Sequence, residues 1–192
     1  MKVFKVALLS ASIALTTACQ TTQETSAPAA EPMKAEAQQQ DLRNTQLFEV
    51  HKDNRIYVFY DFALYEDFLK HGHTAYMYTR IGSGPKGETQ VFGLTKKDKK
   101  KREGIPSVEL LDGKLEASDN FYAEMHMHGR IYVFSTLKDM EGVRKTGEAA
   151  YRHAKIGYGP NGETVVFVLN KGNKKKYPEA LVKKFDGMNT KG

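Results

Sequence analysis

The chain has 192 residues, 40% hydrophobic and 27% charged, with a formal net charge of +6 at pH 7 and one cysteine. That length holds one domain of ordinary size or two small ones. A single cysteine excludes an intramolecular disulfide framework and any zinc or iron–sulfur site built from several cysteines.

The first residues read as an export signal. Lys2 and Lys5 form a basic start, Val6 to Ala14 is apolar apart from Ser10 and Ser12, and Thr16-Thr17-Ala18 precedes Cys19. The apolar run is too short to span a bilayer comfortably. The pattern resembles a bacterial lipoprotein signal, although Thr16 stands where Leu is usual and Leu15 comes one place early. The resemblance implies cleavage of residues 1–18, a lipid such as palmitate on Cys19, and a place in the bacterial cell envelope on the periplasmic side of the inner or outer membrane. Removing Lys2 and Lys5 gives a mature formal charge of 27 − 23 = +4. Residues 19–44 hold no aromatic residue and are rich in Gln, Ala, Thr, Pro, Ser and Glu. Such a composition cannot bury enough apolar surface to offset its ordering entropy, so a disordered tether is expected.

An internal repeat dominates the remainder of the chain. Arg55-Ile56-Tyr57-Val58-Phe59 returns as Arg130-Ile131-Tyr132-Val133-Phe134, 75 residues on. Between residues 49–101 and 124–176, 26 of 53 ungapped positions are identical. The expected units are 45–117 and 118–192. In the first, Leu47–His51 and Arg55–Tyr60 alternate as strands around a Lys52-Asp53-Asn54 turn. Asp61 caps a helix to about Lys70, with Phe62, Tyr65 and Leu69 on one side. Strands at Ala75–Ile81 and Glu88–Thr95 flank a Gly-Pro-Lys-Gly loop, and a short helix comes next, near Ser107–Leu111. In the second unit, Thr136 and Asp139 form a capping box, and Gly142 is expected to interrupt the helix. Strands at Ala149–Ile156 and Glu163–Asn170 and a helix at Pro178–Phe185 complete it. The order is ββαββα twice. Antiparallel hairpins with helices to one side predict an α+β, tandem pseudo-symmetric body, its copies packed around a pseudo-two-fold axis.

Gly82-x-Gly84-x-x-Gly87 has a glycine-rich spacing, but it leads into a second strand where a phosphate-binding fingerprint needs a helix. A structural hairpin is expected, with glycine supplying positive φ. Met125-His126-Met127-His128 is an unusual alternation, and His51 sits at the position equivalent to His126. On a strand, His126 and His128 would share one face and Met125 and Met127 the other. Two imidazoles can hold copper or zinc, and thioethers favour Cu(I). The competing reading leaves the histidines beside a turn and the methionines in the core. His71 and His73 form a further pair.

No catalytic residue is assigned. The expected fold holds no cysteine and no serine in a nucleophile elbow. Glu88 and Glu163 could meet across a pseudo-axis as a hydrolase pair, the weakest of the readings. Lysines cluster after each hairpin, at 96–102 and 171–176, with Lys99 and Lys100 equivalent to Lys174 and Lys175. Such clusters attract anionic lipid headgroups, acidic polysaccharide or nucleic acid. An export signal argues against intracellular nucleic acid; a solvated turn is the plainer reading. Aromatic residues on the strands could also line a cleft between the copies. The expectation is a lipid-anchored binding or structural protein without a cofactor. Its partner is another envelope component or an anionic polymer, and copper or zinc binding is the alternative.

Overall fold

The computed structural model describes residues 44–189. The expected signal, Cys19 and the expected tether up to residue 43 lie outside them. The elements in chain order are β1 (Gln46–Lys52), β2 (Arg55–Phe59), α1 (Phe62–His71), β3 (Met77–Arg80), β4 (Thr89–Gly93) and α2 (Pro106–Leu111). They continue with β5 (Tyr122–Met127), β6 (Arg130–Phe134), α3 (Leu137–Thr146), β7 (Tyr151–Lys155), β8 (Thr164–Leu169) and α4 (Glu179–Asn189).

All eight strands join one mixed sheet in the order β3-β4-β2-β1-β5-β6-β8-β7. The β1·β2, β3·β4, β5·β6 and β7·β8 pairs are antiparallel, as expected of hairpins. The β1·β5, β2·β4 and β6·β8 pairs are parallel, so the antiparallel hairpins are joined to one another by parallel pairing. The halves therefore meet edge to edge, strand on strand, as one continuous sheet and not as two sheets facing across a cleft.

Register decides which face each residue takes. Along β1·β5, Gln46 lies beside Tyr122 and Val50 beside His126, an offset of 76. The sequence repeat is 75, one residue less. Because side chains alternate with period two, equivalent residues of the two halves point to opposite faces. Phe48 and its counterpart Ala123 accordingly belong to different hydrophobic clusters. One cluster joins Val108 and Leu110 of α2 to Met140 and Val143 of α3. The other joins Tyr65 and Phe68 of α1 to Leu181, Val182 and Phe185 of α4. Helices thus cover both faces, not one. Apolar runs such as Val165-Val166-Phe167-Val168 are buried on both sides for this reason.

Local chemistry sets the boundaries. Asp61 accepts a hydrogen bond from the Leu64 N–H at 3.1 Å, and Gly72 closes α1 in the left-handed region. Thr136 accepts from the Asp139 N–H at 3.1 Å, and Gly147 closes α3 at φ 85°. Gly142 does not interrupt α3, contrary to expectation: both ends are capped, and Met140, Val143 and Arg144 are buried. No helix among the described residues is long and apolar enough to cross a membrane.

Candidate functional site

The two hairpin turns at one end of the sheet place the histidines. Asp53 and Asn54 have φ of 52° and 56°, and His128 and Gly129 have 54° and 71°. Two-residue loops matching the strand twist need positive φ at both positions. His128 is therefore a turn residue, which corrects the expectation that it shares a strand face with His126. Met125 and Met127 do share a face, and both are core residues. His126 lies edge-on to Tyr65, 5.7 Å between centroids. Burial lowers its pKa, against an opposing pull from Glu163. His51 and Glu49 approach at 3.1 Å (Nε2 to Oε2). His51, His126 and His128 still border one shallow cavity of about 210 Å³, with Met127 and Glu163. Among the described residues no group of three His, Cys, Asp or Glu side chains is arranged to hold a metal ion. His71 and His73 lie 6.2 Å apart, ring to ring.

At the same end lie the glycine loops. Glu88 accepts from the Lys86 N–H at 2.7 Å, and Glu163 from the Asn161 N–H at 2.9 Å. A Cβ on Gly84 would strike the Glu88 side chain at 2.6 Å, and one on Gly159 would strike that of Glu163. These residues brace their own loops. Four strands separate β4 from β8, so Glu88 and Glu163 do not form a carboxylate pair. The hydrolase arrangement is not built.

Two other carboxylates are fully buried, one on each face. They also stand at equivalent positions, Glu49 and Glu124. Glu49 accepts from Arg144 Nε at 2.9 Å and from its Nη2. Burial pushes its carboxyl up, but the Arg144 charge and hydrogen bonds with His51 and Arg144 outweigh that and hold it below the usual value. Glu124 accepts from the Tyr65 hydroxyl at 2.8 Å, from the Tyr122 hydroxyl, and from Asn189 Nδ2 at 2.7 Å. Its burial wins over those hydrogen bonds and raises the pKa. Closed from solvent and saturated with donors, both serve to fasten helices to the sheet. Sequence reasoning misses them; a glutamate repeated inside an apolar strand is the available signal.

The lysine loops stand at the opposite end. β2, β4, β6 and β8 all run toward that end, and the loops come directly after β4 and β8. Lys99 and Lys100 are exposed in the first loop, Lys174 and Lys175 in the second. Both loops have built frames. In the first, Asp98 accepts from the Tyr60 hydroxyl and from Thr95 Oγ1 at 2.8 Å, and pairs with Lys101 Nζ at 2.6 Å. Burial and the Asp98 carboxylate push the Tyr60 hydroxyl up to about 12. In the second, Asn173 Oδ1 accepts from the Asn170 N–H at 2.7 Å, and Asn170 Nδ2 donates to Asp139 at 3.2 Å. Lys99 Nζ lies 5.2 Å from the centre of the Tyr76 ring, and Lys174 Nζ lies 4.4 Å from that of Tyr151. Tyr76 and Tyr151 are themselves 75 residues apart. β1 also begins at this end, so the chain enters the sheet at its middle, between the loops.

Compared with known protein families, with curated proteins and with solved structures, the chain matches none.

Proposed function

We propose that this chain is an envelope-anchored binding protein, held by a lipid on Cys19, that recognises an anionic polymer or another acidic envelope component through its lysine loops. The observation that carries this is the shared end of the sheet: two framed, exposed basic loops come after β4 and β8 and lie at the same end. Positive charges gathered at one end raise the local concentration of an anion more than scattered ones do. The two halves are read as copies related by an axis lying in the sheet along the strands. The 26 identities support that, as do the outward strand order and the one-residue offset at β1·β5. Retention on dextran sulfate tests the binding reading. Replacing Lys99, Lys100, Lys174 and Lys175 by Gln is expected to release the protein at much lower salt; unchanged retention contradicts the reading. Palmitate labelling of Cys19→Ala tests the anchor, and labelling equal to that of the unaltered chain contradicts it.

A second reading is copper or zinc binding by His51, His126 and His128, favoured by the one cavity they border. Met127 lines the same cavity. Titration with either ion tests it, and no binding at micromolar concentration removes it.

A further inference from the structure

The lysine loops and the start of β1 share one end of the body. Loop 96–102 carries six basic residues and loop 171–176 carries four. β4 and β8 are five strand spacings apart, about 24 Å at the usual inter-strand distance. Asn44 lies between them, hydrogen-bonded through its carbonyl to the Ser118 N–H at 3.1 Å and through Nδ2 to the Glu116 carbonyl at 2.9 Å. Two exposed acids, Glu116 and Asp119, sit in that middle segment, with Asp98 inside the first loop and Glu103 just after it. The flanks are basic and the centre is mixed.

We infer that this end docks flat on an anionic lipid bilayer, its two lysine loops seated on phospholipid headgroups on either side of the point where the chain enters the sheet. The inference rests on the proposed roles of Cys19 and of the lysine loops, and names their partner. Three features favour a lipid surface over a soluble polymer. The basic loops flank the chain's own point of attachment, so an anchored body presents this end to its membrane first. Cys19 and Asn44 are 25 residues apart, a span of at most about 90 Å even if extended, which keeps the body near the surface. Two charged flanks about 24 Å apart with a mixed centre fit a plane better than a single thread. Basic residues near an anionic surface each contribute about fivefold in affinity, an effect that fades within a Debye length.

The test uses the full chain with Cys19→Ser, so that no lipid contributes and no other cysteine remains. Co-sedimentation is measured with vesicles of phosphatidylcholine alone and of phosphatidylcholine mixed with phosphatidylglycerol, and dextran sulfate retention is measured in parallel. The expected result is salt-sensitive binding to the mixed vesicles, reduced about a hundredfold or more when Lys99, Lys100, Lys174 and Lys175 become Gln, and kept when they become Arg. A fluorophore on Lys176→Cys is then shielded by the vesicles, and one on Lys86→Cys, at the far end, stays open. Vesicle binding unchanged by the Gln variant overturns the inference, as does shielding of the Lys86→Cys label instead. Dextran sulfate retention without vesicle binding overturns the lipid assignment and leaves the binding surface standing. Binding to neither vesicles nor dextran sulfate by the chain with its lysines intact removes the surface as well.

Discussion

Glu49 of β1 and Arg144 of α3 form a buried ion pair that ties the first half of the chain to the second. Its counterpart across the repeat uses different chemistry: Glu124 of β5 takes the phenol of Tyr65 on α1. Each central-strand glutamate therefore reaches the first helix of the other half. The one-residue register offset makes this exchange necessary, because it turns equivalent glutamates to opposite faces.

Removing one member of the buried pair strands the other. Arg144→Met is expected to destabilise by about 3–5 kcal/mol, whereas Glu49→Leu combined with Arg144→Met is expected to recover most of that loss. Urea unfolding of the single and double variants measures the difference. Additive losses would contradict a direct pair.

The two glutamates respond to pH with opposite signs. Glu49 has a lowered folded pKa, so its contribution is present above the unfolded value, about 4.3, and is lost as pH falls through the lower folded value. Glu124 has a raised folded pKa, so its ionisation costs stability at neutral pH and that cost disappears on acidification. His126, lowered by burial, loses stability as pH falls below about 6.5. Glu124→Gln isolates one contribution. Its melting temperature relative to the unaltered chain is expected to be most favourable near pH 7 and to decline toward pH 4. A constant difference across that range would contradict the raised pKa.

Gly93 is where the two halves cannot share a residue. A Cβ there would lie 2.5 Å from the ring of Phe59, which is fully buried. The equivalent position holds Val168. Gly93→Val is expected to destabilise by about 1–3 kcal/mol through overpacking, despite importing the partner half's own residue. The urea midpoint reads it, and an unchanged midpoint would contradict the close approach.

His128 is expected to behave as a turn residue. His128→Val forces a β-branched side chain to φ 54° and should destabilise by about 1–2 kcal/mol. His128→Asn should be tolerated, as Asn54 is in the other hairpin. Equal stability of both variants would contradict the turn assignment.

Much of the local structure is legible in the sequence because it depends on near neighbours along the chain. The Asp53-Asn54 turn, the Asp61 and Thr136 caps and the glycine loops follow from the backbone needs of single residues. The parallel joins and the helices on both faces are not legible. The joins depend on which non-consecutive strands pair, and the second covered face depends on an offset of 76 at β1·β5, which the 75-residue repeat does not contain. His128 misleads because the alternation continues one residue past the strand it describes. The lysine clusters are visible as clusters. Their common end requires the directions of β4 and β8.

The most direct measurement compares two fourfold charge removals in dextran sulfate retention. One changes Lys99, Lys100, Lys174 and Lys175 to Gln; the other changes Lys52, Lys86, Arg130 and Lys155, at the far end, to Gln. Both remove the same net charge. The account predicts that the first variant elutes at much lower salt while the second stays close to the unaltered chain. Equal shifts in the two variants would mean that net charge alone governs binding, and would contradict a binding surface at the lysine end.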